Sequence, residues 1–130
     1  MGAFDTLSIA NTALGAHQTW LDAVADNIAN VNTVRSTSQS AFQATYVEFA
    51  ADSHGGVDVA GYAHGDATGL VVSQPDSPLA DAQGYVRAPD IDLADQMGEL
   101  VMAQRGYQAS VQVTKTAQDT YSAALQIGQK

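Results

Sequence analysis

Apolar residues, with one histidine among them, recur through the first thirty-one positions at alternating steps of three and four residues. The N-terminal seam consists of Leu7, Ala10, Leu14, His17, Leu21, Val24, Ile28 and Val31. This spacing is the heptad pattern of a helix that packs along one side against another helix. It predicts a helix from about Asp5 to Val31, capped at its start by Asp5 or Thr6 and about 40 Å long.

A second helical pattern covers about Leu93 to Ile127. The C-terminal seam consists of Leu93, Met97, Leu100, Tyr107, Val111, Thr114, Tyr121 and Leu125. Asp90 and Asp92 precede it as capping residues, Pro89 marks the boundary, and Gly128 suits its end. Glycine inside a helix costs about 1 kcal/mol relative to alanine, so Gly98 and Gly106 indicate a helix that needs a partner.

The segment between the two helices has strand and turn composition. Short runs of β-branched and aromatic residues are separated by Gly55-Gly56, Gly65-Asp66 and the turn at 75–78. We predict two to four short strands from the runs Phe42–Phe49, Val57–Tyr62, Gly69–Ser73 and Tyr85–Arg87. We expect this segment to form a small β element or ordered loop across one end of the helical hairpin.

These patterns predict a mainly α protein whose two long terminal helices pair as a coiled-coil hairpin around a small β-rich or irregular middle. We divide the chain into an N-terminal helix (1–34), a middle segment (35–89) and a C-terminal helix (90–130). The two helical segments are expected to form one core domain, because a single seam on each helix must be buried by the other.

Charge and composition exclude several functions. The net charge is −9, and no lysine or arginine occurs between Ser36 and Val86. Nucleic acids and anionic membranes, which are bound by clustered cations, are therefore poor partners. No apolar run is long enough for direct membrane insertion, and the N-terminus lacks the pattern of a cleaved secretory signal. The absence of cysteine excludes disulfides and thiolate chemistry.

The outward faces of both predicted helices carry few charges. Residues 1–34 contain three aspartates but no lysine, arginine or glutamate, and the second helix has Lys115 and Asp119 as its one opposite pair at i,i+4. Exposed coiled-coil faces normally carry Glu and Lys pairs. Small uncharged residues allow other helices to approach, so these faces indicate further packing, with a solvated Ala- and Thr-rich helix as the alternative. Trp20, off the seam, is interpreted as either local packing or a contact anchor, of which we favour the anchor.

Candidate chemical sites are sparse. His17 occupies the seam, where a polar residue is expected to fix register rather than bind a metal. His54 and His64 lie in Gly-rich turns beside aspartates, which we interpret as loops rather than a metal site. The acids Asp90, Asp92, Asp95 and Glu99 lack the glycine turn of a calcium loop and fit helix capping. No catalytic constellation is found, so we predict no enzyme activity, no cofactor and no metal.

Two motifs carry a family resemblance. "LDAVADNIANVNT" resembles the N-terminal signature of the bacterial flagellar axial proteins, the rod and hook group, through Asn27, Ile28, Ala29, Asn30, Asn32 and Thr33. The C-terminal stretch "ELVMAQRGYQASVQVTKTAQDTYSAALQIG" is similar to the family's last helix, with Arg105, Tyr107 and Ala109 in register. "GGVDVAG", "GYVRAPDIDLADQM" and "LQIG" resemble the proximal rod type. Asp26 departs from the family's usual asparagine.

This resemblance implies a structural subunit of the flagellar basal-body rod, the drive shaft between motor ring and hook. It further implies export through the flagellar type III apparatus, helical assembly outside the cytoplasmic membrane, and contacts with other rod proteins, copies of the same chain and the motor ring. The asparagines are interpreted as the uncharged end of an assembly helix. The alternative is a secreted, stand-alone acidic binding module that takes a cell-wall or metal ligand through its Gly- and His-containing middle.

Overall fold

The computed structural model describes residues 2–128, apart from the side chain of Ala3. The first helix, α1, covers Ala3–Asn30. Its start is capped by Asp5, whose carboxylate accepts a 2.7 Å hydrogen bond from the Gly2 amide. Asp5 therefore lies at the third helical position and reaches back to the N-cap, as in a capping box. The helix begins two residues before the predicted boundary and ends one residue before Val31.

The second helix, α2, covers Leu93–Gly128, in agreement with the predicted range. Asp92 is its N-cap residue, since one carboxylate oxygen lies 2.8 Å from the Ala94 amide and 3.3 Å from the Asp95 amide. Satisfying two of the unpaired amides of the first turn is the usual role of an N-cap aspartate. With 28 and 36 residues, the two helices make up roughly half of the chain.

Four strands lie between the helices: β1 (Thr45–Ala51), β2 (Val57–His64), β3 (Leu70–Ser73) and β4 (Tyr85–Ala88). They form two separate two-stranded sheets, β1-β2 and β3-β4. β3 and β4 are antiparallel, with Val71 opposite Arg87. Gly55 and Gly56 both have positive φ in the turn between β1 and β2. The sequence predicted two to four strands, and the four observed strands lie at the four predicted runs, with boundaries shifted by up to three residues. The turn at Gly55-Gly56 was also predicted.

The chain divides into two compact units. Unit 1 contains residues 1–21, 47–61 and 101–130, and unit 2 contains residues 22–46 and 62–100. Buried residues in unit 1 are mostly small: Ala10, Ala16, Ala103, Ser110, Thr114 and Ala117. Those in unit 2 include Val24, Asn27, Ala41, Ala44, Val86 and Gln96. Small buried residues let backbones approach closely.

The β1-β2 segment of unit 1 packs along α1. The Val57 amide donates to the Thr12 hydroxyl at 3.2 Å, and the Phe49 ring lies edge-on to Trp20 at 6.4 Å between centroids. Gly56, at a φ of 101°, is tight against Thr12, so a side chain there would overlap it. The expectation that the middle segment lies across one end of the helical hairpin is therefore wrong for this part. Small residues on the second face of α1 provide the space that the strands occupy.

Candidate assembly interface

Asn27 is the most completely buried polar residue of unit 2, with no exposed surface. Its amide nitrogen donates to the Thr45 carbonyl and to the Gln96 side-chain oxygen, each at 2.9 Å. Its amide oxygen accepts from the Thr45 backbone N–H at 2.8 Å. Both amide protons and the oxygen are thus engaged inside one unit. Asn27 holds α1, the start of β1 and α2 together, which a sequence reading of helix-ending asparagines did not reveal.

Asn30, the next asparagine of the motif, caps the end of α1. The Asn30 amide donates to the Asp26 carbonyl at 2.9 Å and to the Asp26 carboxylate at 3.1 Å. Its side-chain oxygen accepts from the Thr33 hydroxyl at 3.1 Å, and its carbonyl accepts from the Thr33 amide. Asp26, the departure from the family pattern, thereby supports the cap. Ala29 and Asn32 are exposed.

His17 contacts α2 in unit 1. Its Nδ1 lies 2.8 Å from the Ala13 carbonyl oxygen and 3.0 Å from the Ser110 hydroxyl oxygen. Because a carbonyl oxygen can only accept, Nδ1 carries the proton. The far side of the ring lies against Gly106, where an added Cβ would overlap it. Near the other end of unit 1, Phe4 packs on Tyr121 at 4.6 Å between centroids. These pairs make the two helices antiparallel within the unit.

The remaining predicted seam residues of α1 lie on its packed side. Val24 is buried, and Leu7, Leu14, Leu21 and Ile28 are half-buried, as is Val31 just after the helix. On the opposite face, the small residues Thr12 and Ala16 and the ring of Trp20 pack on or near β1 and β2. Trp20 packs against Phe49 of the same chain, because the β segment covers that side of the helix. This agrees with the local-packing interpretation rather than with the favoured contact anchor.

The buried stripe of α2 differs from the predicted seam. Its residues alternate in steps of four and three: Gln96, Leu100, Ala103, Tyr107, Ser110, Thr114, Ala117 and Tyr121. Leu100, Tyr107, Thr114 and Tyr121 of this stripe were predicted. The other predicted seam residues, Leu93, Met97, Val111 and Leu125, are exposed. The predicted seam was wrong at these positions because the large apolar residues of α2 were assumed to form its buried side. Close helix approach instead requires alanine, serine and threonine there, and an alternation of small residues at heptad spacing would have indicated it.

A second α2 stripe in unit 1 is exposed and free of charge. The α2 outer stripe consists of Met102, Ala109, Val113, Thr116, Thr120 and Ile127, at steps of seven, four, three, four and seven. Its large apolar members are 55–78% exposed. The Thr116 and Thr120 hydroxyls donate to carbonyls of the same helix, which leaves their methyl groups to face outward. Arg105, Lys115 and Asp119 lie outside this stripe, and Arg105 is exposed.

A groove of ≈ 300 Å³ accompanies the outer stripe in unit 1. It is lined by Thr6, Gln112, Val113, Thr116, Ala117 and Thr120. The lining has no charged residue, and Ala117 is nearly buried. Exposed apolar surface beside a neutral groove is typical of a protein–protein contact.

Charges are unevenly divided between the units. Unit 2 has nine acidic residues and two arginines, a formal charge of −7 out of the −9 of the whole chain. Backbone N–H groups hold several carboxylates in the ionised form. The Tyr85 amide, with the Thr37 hydroxyl, lowers the pKa of Asp81, and the Thr68 amide lowers that of Asp66. The His54 amide likewise lowers the pKa of Asp52.

The histidines of the middle segment form no ligand cluster. His54 is almost fully exposed, with Nδ1 3.4 Å from the Asp52 carboxylate. Among the described residues, no group of three or more histidine, cysteine or acidic side chains could hold a metal ion. Within residues 2–128, no helix has both the length and the hydrophobicity to cross a membrane.

Two protein-family models match the ends of the chain. Residues 7–35 match "Flagella basal body rod protein", and residues 82–127 match "Flagellar basal body rod FlgEFG protein C-terminal". The first match contains Asn27, which bonds to Thr45 and Gln96, and the Asn30 cap. The second match contains the buried and outer stripes of α2. These matches define the class: a structural axial protein of the bacterial flagellum.

Similarity to characterised sequences narrows the class. The chain is 34% identical to the flagellar basal-body rod protein FlgC of Salmonella typhimurium over 134 residues, covering 99% of this chain and 100% of the relative. It is 35% identical to FlgC of Yersinia enterocolitica over the same coverage, and 28% identical to FlgC of Bacillus subtilis over 98% of this chain and 99% of that one. The chain belongs to the FlgC family of flagellar basal-body rod proteins. It is a structural rod subunit of the basal body, and the predicted resemblance is confirmed.

Proposed function

We propose that this subunit builds the proximal rod by packing the α2 outer stripe and its groove against helices of neighbouring rod subunits. The observation that carries this proposal is a charge-free, exposed apolar stripe that keeps heptad spacing over 26 residues of one helix, Met102 to Ile127. Heptad spacing is what a second helix needs to pack along its length. Neighbours include other rod proteins and copies of this chain, and the lowest subunits contact the motor ring.

In this proposal, residues 1–34 and 90–130 form the core of the assembled subunit, and residues 35–89 lie outside that core. The role of the predicted seam residues is then divided. Half-buried residues such as Leu14 and Tyr107 hold α1 and α2 of one subunit together, whereas exposed Val111 and Leu125 are available to neighbours. Ala109, a family-motif residue, lies on the outer stripe, where a larger side chain would push the neighbour away.

Repeated head-to-tail contacts of this kind produce an open helical assembly rather than a closed ring. Torque passes through many densely packed helices, and close packing of small residues resists deformation. The subunit is exported by the flagellar type III apparatus and assembles beyond the cytoplasmic membrane. It has no catalytic role. Nothing in the comparisons or in the described residues favours the alternative binding module.

The test is a charge placed in the stripe. We expect Val113→Asp to abolish swimming and rod formation, because an unpaired carboxylate would have to be buried between helices. Gln108→Glu adds the same charge to an exposed position on the flank that carries Lys115 and Asp119, and should leave motility near normal.

The helix content of both purified variants is measured by circular dichroism, and their export is measured in the culture medium. A folded, exported Val113→Asp protein that no longer co-purifies with basal bodies is the expected result. Normal swimming of the Val113→Asp strain would show that this stripe is not an assembly surface.

A further inference from the structure

β3 is an edge strand with unusual exposure. Leu70, Val71 and Val72 are 50%, 58% and 37% exposed, and Ser73 is exposed as well. β4, its partner in the sheet, is closed on its other side, because the Arg87 N–H and C=O pair with those of Arg35 at 2.8 Å. Among the described residues, this sheet has no further strand beyond β3, so β3 is its open side.

The register shows which groups of β3 are open. Arg87 faces Val71 in the ladder but directs its backbone groups to Arg35, so Val71 directs its own N–H and C=O away from β4. Ser73 follows the same alternation, since Tyr85 opposite it bonds to Asp81. Proteins usually protect such edges with lysine, proline or a bulge. β3 contains no charge and no proline.

The surroundings of β3 are acidic. Asp66 precedes it, Asp76 follows it, and Asp81 lies in the turn before β4, and the backbone amides described above keep Asp66 and Asp81 ionised. The nearby Arg87 guanidinium is engaged locally, donating to the Thr68 carbonyl and, at 2.8 Å, to the Thr37 carbonyl. A second copy of this chain would bring its own acidic middle segment, which has no lysine or arginine from 36 to 86.

We propose that β3 binds an extended, apolar segment flanked by lysine or arginine, supplied by a different protein, which adds as a third strand beyond β3. Main-chain bonds to Val71 and Ser73 give the affinity, as in strand addition to sheet edges. The acidic surroundings select a basic partner and repel a second copy. This inference rests on the proposed function only in making that protein a neighbour in the basal body.

The probe is a synthetic peptide of six alternating valine and threonine residues with two lysines at each end. We expect it to bind the full chain, to shift the amide resonances of residues 69–74, and to slow their hydrogen exchange. A peptide with glutamate in place of each lysine should bind at least about tenfold more weakly at low salt.

Two substitutions at Val71 separate edge pairing from folding. Val71→Pro removes an outward N–H without removing a β3-β4 bond, and proline is tolerated on an edge strand. We expect it to weaken peptide binding at least about tenfold, whereas Val71→Thr keeps the N–H and the branched shape and should bind within about twofold. Asp76→Lys, in the exposed turn, should weaken binding of the lysine peptide and improve that of the glutamate peptide.

Equal binding by Val71→Pro and Val71→Thr would overturn the proposal. So would concentration-dependent self-association of the peptide-free chain that Val71→Pro abolishes, because the occupant would then be a second copy. Either result leaves the α2 outer stripe untouched. Conversely, normal motility of Val113→Asp cells would remove the proposed assembly surface without affecting peptide binding at β3.

Discussion

The side chain of Asn27 pairs with the backbone of Thr45 through two hydrogen bonds, one donated and one accepted. A neighbouring strand would likewise offer one N–H and one C=O. The Asn27 amide therefore takes the place of a strand and joins the start of β1 to α1. Its second N–H binds Gln96 on α2. Asn27 of the family motif therefore makes these contacts inside the subunit.

Replacing Asn27 by alanine should lower the free energy of unfolding by about 3 kcal/mol, because the half-buried Thr45 backbone groups and the buried Gln96 amide lose their partner. Asn32→Ala is the matched control, since Asn32 is exposed in the same motif, and should change stability by less than about 0.5 kcal/mol. Denaturant unfolding of the purified chains measures both. Equal effects from the two substitutions would show that the Asn27 hydrogen bonds contribute little to stability.

Gly106 and Gly98 should respond in opposite directions to alanine. A methyl group added at Gly98 has open space around it, so Gly98→Ala should stabilise the chain by up to about 1 kcal/mol through helix propensity. Gly106→Ala should destabilise it, because the new methyl overlaps the His17 ring. His17→Ala combined with Gly106→Ala should recover part of the loss. Thermal unfolding of the four proteins in a double-mutant cycle tests the contact, and strict additivity would contradict it.

Thr12→Val should destabilise the attachment of β2 to α1 by about 1 kcal/mol, because the Val57 amide loses its acceptor. Thr19 is a close control: its hydroxyl also donates to a carbonyl one turn back, and Thr19→Val leaves Val57 paired. Hydrogen exchange of the Val57 amide should accelerate only in the Thr12 variant. Acceleration in neither variant would show that this bond does not limit local opening.

Stability should fall with acid partly through Asp81. Its pKa is lowered in the folded state, chiefly by the Tyr85 amide, so it binds protons more weakly when folded than when unfolded. The resulting stabilisation is present above the unfolded value near pH 4 and is lost as pH falls through the lower folded value. Asp52 and Asp66 act in the same direction.

We expect Asp81→Asn to melt lower than the natural sequence at pH 7 and to lose less stability between pH 5 and pH 2 (about the range over which a carboxylate titrates). Asp76→Asn, which removes a charge from an exposed turn, serves as the control. Melting temperatures of the three proteins across this range provide the measurement. Parallel curves for the Asp81 variant and the natural sequence would exclude the contribution.

Much of the fold could be predicted because helices and short strands leave local signals. The seam spacing located α1 and α2 within two residues, and Asp92, Gly55 and Gly56 marked a cap and a turn by chemistry that acts between near neighbours. The flagellar family motifs are likewise contiguous in sequence. That the scarcity of charge along the helices marks assembly surfaces stays a prediction.

Contacts between distant segments were decided only by the tertiary structure. Which side of α2 is buried depends on how closely α1 approaches, and that distance is set by Gly106, Ser110 and Ala117 rather than by the largest apolar residues. The partner of Asn27 is 18 residues away in sequence, at Thr45. The periodicity of a sequence indicates that a helix has a packed face. Which face that is depends on the backbone packed against it, because small residues are buried only where another backbone comes close.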